Sequence, residues 1–155
     1  MPGTFTGLGV TFLYPDNWEI SDQIEATTES AGGVTLETPE GAFFALNRYP
    51  NVANPQTVID QALAVLREEY EPLEVEPCGA LAADPELAAL GNQFTEAGND
   101  LSFYVLDLLI TARLIAIVHE GDVLLLQMQA ESRDFAKLEI VFAAVLKTLR
   151  DSLQK

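Results

Sequence analysis

The chain has 155 residues, 48% of them hydrophobic, and carries 24 acidic against 8 basic side chains for a net charge of −16. That much apolar residue in a chain of this length suits one domain with a full core, and argues against disordered, collagenous or disulfide-scaffold classes. A surface this acidic repels phosphate backbones and anionic headgroups, which argues against nucleic acid and an anionic membrane as partners.

The opening MPGTFTGLGV has neither a basic stretch nor a long apolar run, so no signal peptide is expected. The lone cysteine, Cys78, forms no internal disulfide, and a cytoplasmic location is the simplest expectation. Val10, Phe12 and Tyr14 alternate with Thr11 and Leu13 as a strand does, and Pro15-Asp16-Asn17 makes a turn before Trp18-Glu19-Ile20. Gly32-Gly33 interrupts the chain before a strand over Val34–Thr38. Pro39-Glu40-Gly41 turns it into a paired strand over Ala42–Tyr49. A helix is expected over 55–70, capped by Asn54 and opened by Pro55. Val58, Ile59, Ala62, Leu63, Leu66 and Tyr70 form its apolar stripe.

Leu73–Glu76 alternates like a strand with one wet face, and Pro77 ends it. Ala80–Leu90 reads as a helical turn or loop, Gly91–Thr95 as the entry to a strand, and Gly98-Asn99-Asp100 as a hairpin turn. Two apolar runs follow, Phe103–Ile110 and Leu114–Val118, which suggest strands covered on both faces. His119-Glu120-Gly121-Asp122 is a hairpin turn, and Val123–Met128 returns. No apolar stretch reaches the length of a spanning helix, because Asp107, Thr111 and Arg113 interrupt the richest one. A closing helix over 133–153, capped by Ser132, carries Phe135, Leu138, Val141 or Phe142, Val145 and Leu149, with Ile140 and Leu146 widening the stripe. Together these elements predict an α+β fold: an α/β/α sandwich around a mainly antiparallel sheet, with two main helices.

The order of elements resembles the Mog1/PsbP-like fold family. Tyr14-Pro15-Asp16-Asn17-Trp18 is similar to that family's opening motif, and Glu120–Leu149 is similar to its last hairpin strand and closing helix. The segment Phe103–Ala112 is similar to one in small bacterial proteins of unassigned function. The resemblance implies a single sandwich domain over residues 1–155 and, because the family includes a nuclear-import factor, photosystem subunits and type VI effector chaperones, a protein-binding role. The chaperone version of that role implies a homodimer with an apolar groove.

The chemistry-bearing residues point the same way. One Cys and one His cannot furnish a zinc site, Glu120-Gly121-Asp122 is too short for a calcium loop, and no cofactor or nucleophile motif occurs. Asp107 interrupts an apolar run, and is either a buried hydrogen-bonded carboxylate or the polar wall of a pocket shared with Tyr104, Arg113 and His119. Trp18 belongs to the core or to a recognition surface. Glu68, Glu69 and Glu71 lie at a helix C-terminus, where the helix dipole disfavours anions, which gives weight to a binding role. Charge is also segregated: residues 1–130 hold 20 acids and 3 bases, net −17, whereas 131–155 hold 4 acids and 5 bases, net +1. The leading expectation is therefore a non-catalytic adaptor, chaperone or regulator whose acidic surface takes a basic or apolar partner. The alternative is an enzyme or small-molecule binder with a pocket near Asp107 and Arg113.

Overall fold

The computed structural model describes residues 2–24, 31–52, 54–77 and 96–153. A two-stranded hairpin, β1 (Gly3–Gly7) and β2 (Val10–Tyr14), stands apart from a seven-stranded sheet. The sheet comprises β3 (Glu19–Ile24), β4 (Gly32–Glu37), β5 (Phe43–Tyr49), β6 (Glu74–Pro77), β7 (Glu96–Val105), β8 (Leu108–His119) and β9 (Asp122–Glu131). Helix α1 (Pro55–Glu69) lies between β5 and β6, and α2 (Ser132–Leu153) closes the chain. The strand order is β3-β4-β5-β9-β8-β7-β6, with every neighbour antiparallel.

Alternation along the strands splits the sheet into two apolar faces. Leu124, Leu126 and Met128 of β9 join Ile115 and Ile117 of β8 and Leu36, Phe44 and Leu46 under α2 and the β1–β2 hairpin. Val123 and Leu125, Ala112 and Leu114, and Leu101 and Phe103 face Val58, Ile59 and Leu63 of α1. The sandwich expected from the sequence is thus present, with α1 on one face and α2 plus a β-hairpin on the other.

Local chemistry explains the boundaries. Asn54 Oδ1 accepts from the Gln56 N–H at 2.9 Å and Pro55 opens α1, as the cap reading requires. The Trp18 N–H donates to the Pro15 carbonyl at 3.0 Å, which closes the expected turn. The outer edge of β2 is covered rather than free, because Thr11 N–H donates to Ser152 Oγ and Leu13 N–H to Thr148 Oγ1 of α2. Helix hydroxyls thereby take the place of a neighbouring strand.

One strand is added to those expected, and three readings change. Gly3–Gly7 is a strand, joined to β2 through Leu8 (φ 55°) and Gly9 (φ 78°). A side chain at position 9 is doubly disfavoured, since its Cβ would also lie 2.9 Å from Arg48 Nη1. Gly98-Asn99-Asp100 is no turn but the middle of β7, where Asp100 stands opposite Arg113. Gly32 and Gly33 belong to β4 rather than preceding it. Ile140 is exposed and Phe142, not Val141, takes the buried place on α2. Cys78, Ala80–Leu90 and Gly91–Thr95 lie outside the described residues. No helix among the described residues is long and apolar enough to cross a membrane.

Candidate functional site

Strands β7 and β8, of 10 and 12 residues, are neighbours between β6 and β9, and at one end they outrun both flanking strands. On one side β6 begins at Glu74, opposite Ser102; on the other β9 ends at Glu131, opposite Ile110. Past those points the hairpin has no neighbouring strand among the described residues, through the pairs Tyr104–Leu109 and Val105–Leu108 to a turn at Leu106-Asp107. The sequence run Phe103–Ile110 is therefore not one covered strand. Its centre is a turn, and its middle residues are exposed.

What the overhang carries is apolar. Leu106 is 92% exposed and Tyr104 58%, and Val105, Leu108 and Leu109 are exposed as well. Strand alternation puts Tyr104 and Leu109 on the α2 face, and Val105 and Leu108 on the α1 face. Leu106, at the tip, has φ 55°. Left-handed backbone costs a non-glycine residue roughly 1–2 kcal/mol, and turns of this kind favour Asn, Asp or Gly. Leu8 shares the conformation, but it packs on the core and its carbonyl accepts from Arg48 at 3.0 Å. Among the described residues Leu106 has no such packing.

An acidic collar surrounds the base of this knob. Tyr70, just past α1, stacks on Phe103 with ring centroids 4.3 Å apart. That contact brings the α1 C-terminus to the tip end of the sheet, and Glu74 joins the same end through its pairing with Ser102. Glu68, Glu69, Glu71 and Glu74 are all exposed there. Burial and the neighbouring Glu69 push the Tyr70 phenol above its ordinary value, so it stays neutral within the collar. On the opposite side stand Glu131, paired with Arg133 at 2.9 Å, and Asp134 in the first turn of α2.

Five of the eight residues singled out from the sequence thus meet at one end: Glu68, Glu69, Glu71, Tyr104 and Asp107. Asp107 is neither buried nor in a pocket wall; it is the exposed second residue of the turn. The other three lie elsewhere. Trp18 is buried against Phe142 and Phe44. Arg113 is buried on β8, donating to both oxygens of Asp100 at 2.7 and 3.2 Å and to Glu139 at 3.5 Å. Its guanidinium also lies 5.3 Å from the Phe135 ring centroid. His119 ends β8, about 35 Å from the tip at roughly 3.3 Å per residue. A pocket shared by Asp107, Arg113 and His119 is geometrically impossible on one extended strand. Two open cavities among the described residues, of about 210 and 550 Å³, are lined by Thr6–Thr11 residues with Ser152 and by Arg67, Glu71, Pro72 and Leu73. Neither involves those three side chains.

His119 serves a strut instead. Arg48 Nη1 lies 3.3 Å from His119 Nδ1, and since a guanidinium only donates, Nδ1 accepts and the proton sits on Nε2. Burial holds His119 below its ordinary value of 6.5; Arg48 acts in the same direction, against Glu120 and Asp122. The unfolded chain therefore takes up this proton first. Stability from the neutral imidazole is full above about pH 6.5 and is lost as pH falls from there towards the depressed folded value. Urea unfolding at pH 7.5 and 5.5 should show a loss in the native chain that is smaller in His119→Gln. Equal losses in both would mean that the imidazole is not the group responsible.

Among the described residues no group of three or more His, Cys, Asp or Glu side chains is placed to hold a metal ion. In comparisons with known proteins, no family model and no curated protein matches the chain.

Proposed function

We propose that the protein is a non-catalytic binding module, an adaptor, chaperone or regulator of the Mog1/PsbP-like kind, that docks through the free end of the β7–β8 hairpin. One observation carries this reading: five apolar side chains are held in water on a two-stranded projection, with Leu106 in a backbone conformation that turn chemistry does not favour for leucine. Stability alone selects against both features. Residues that give up stability locally are a mark of function when nothing in the chain rewards them. The α/β/α layering supports the proposed kinship, because it leaves the core closed and the chemistry at the surface.

The test is a substitution that improves the fold and removes the function. Leu106→Asn suits the left-handed turn and takes an apolar group out of water, so stability should rise by about 0.5–1 kcal/mol. Proteins retained from cell extract by the native chain at low salt should be lost with Leu106→Asn and kept with Ile140→Asn, a control at an exposed apolar residue of α2. Retention unchanged by Leu106→Asn would remove the hairpin end as the docking surface.

A further inference from the structure

The shape and charge of the hairpin end specify what it fits. Resting on the reading above, we infer that the tip inserts into an apolar cleft of another protein whose rim is basic. A flat surface can cover only one face of a strand pair. Here Tyr104 and Leu109 project from one face, Val105 and Leu108 from the other, and Leu106 from the end. Only a cleft with apolar walls on both sides buries all five. Its depth follows from the overhang: about three residues beyond the last flanking pairs, or roughly 10 Å.

The collar decides between occupants. Glu68, Glu69 and Glu71 stand at and just past the C-terminus of α1, Glu74 and Glu131 where the two flanking strands stop, and Asp134 in the first turn of α2, with Arg133 paired to Glu131. Two copies joined tip to tip would face collar against collar and Asp107 against Asp107, in a chain of net charge −16. An anionic bilayer would meet the same repulsion. A zwitterionic bilayer would accept the leucines yet draw a net-acidic collar, with Glu68, Glu69, Glu71 and Glu74 exposed, towards a low-dielectric surface. Lysine or arginine around a cleft mouth both offsets that charge and speeds encounter.

The full-length chain with a photocrosslinking benzoylphenylalanine at position 106 identifies the occupant, with position 65 on exposed α1 as control. The captured protein is purified and titrated with the native chain. The inference expects adducts from position 106 at an apolar cleft bordered by Lys and Arg. Affinity should fall at least about 100-fold in Leu106→Ser/Leu108→Ser, whose melting temperature is not lowered, since a few central anchors carry most of an interface's binding energy. Glu69→Lys/Glu71→Lys should slow association by about 10-fold with dissociation nearly unchanged, and added salt should do the same. Adducts between two copies, concentration-dependent sedimentation of the free chain, co-sedimentation with phosphatidylcholine or phosphatidylglycerol vesicles, or a partner cleft without a basic rim would each overturn the inference and leave a docking tip. Equal labelling from positions 106 and 65, or affinity indifferent to the tip substitutions, would overturn the docking role itself.

Discussion

Trp18→Ala is expected to cost about 3–5 kcal/mol of stability, the usual range for removing a large aromatic from a closed core. The indole is 5% exposed and meets Phe142 edge-on at 5.9 Å and Phe44 at 6.2 Å. Those rings in turn contact Phe12 at 5.5 Å and Phe135 at 5.9 Å, so one aromatic cluster joins β2, β5 and α2. Taking out its corner leaves a void that three elements must close together, which the backbone cannot do without breaking pairings. Domains of this size hold roughly 5–15 kcal/mol in total, and each kilocalorie moves the melting temperature by about 2–4 °C. A drop on the order of 10–15 °C follows. Trp18→Phe retains most of the apolar volume and should lose much less. Thermal and urea unfolding of the two variants gives the comparison. A loss below about 1 kcal/mol for the alanine variant would mean that this side chain is not part of the packed interior.

Where the sequence was legible, a local chemical rule and a long-range need coincided. Asn54-Pro55 marks the start of α1 because cap and first-turn geometry involve neighbours alone, and the stripe from Val58 to Leu66 says the rest. Glu120-Gly121 reads as a turn because glycine takes the φ of 82° that the second turn position demands. The Leu106-Asp107 turn breaks that rule: its left-handed residue is a leucine within an apolar run, so periodicity indicates one buried strand. The same misreading made Gly98-Asn99-Asp100 look like the turn, since it contains the expected residue types. Asp100 is there for another reason, to pair across strands with Arg113, and cross-strand partners follow from register rather than from neighbours. β1 was hidden because Phe5 is its one buried side chain, too few for a pattern. The candidate site was half legible. Glu68, Glu69, Glu71, Tyr104 and Asp107 stand out by composition, but their meeting depends on the Tyr70–Phe103 stack and on where β6 and β9 stop. The site was obscured where a local rule was broken, which is also where consistency between local and global preference is expected to fail in a functional protein.

Arg48→Ala should cost about 2–3 kcal/mol, because a part-buried ion pair and two backbone carbonyls lose their shared donor. Arg48 is 8% exposed at the end of the sheet beneath the β1–β2 turn. Its Nε donates to Asp122 Oδ2 at 2.8 Å, Nη1 to the Leu8 carbonyl at 3.0 Å, and Nη2 to the His119 carbonyl at 3.2 Å. One planar group thus holds β5, β9, the end of β8 and the β1–β2 hairpin in a single register. Asp122 is kept below the ordinary carboxylate range, first by the Asn51 N–H and then by Arg48 against the opposing effect of burial, so it remains charged after the arginine is gone. Lysine cannot replace the fork: its ammonium has no fixed geometry that reaches three acceptors on different elements, and Arg48→Lys should recover less than half of the loss. A second readout separates the strut from simple packing. Without the neighbouring guanidinium, His119 loses a cation that disfavours its protonation, so its titration, followed by NMR, should move upward in Arg48→Ala. Stability lost with the His119 titration unmoved would assign Arg48 to packing alone. An upward shift with loss of stability would place the hairpin, the sheet end and the imidazole in one electrostatic unit.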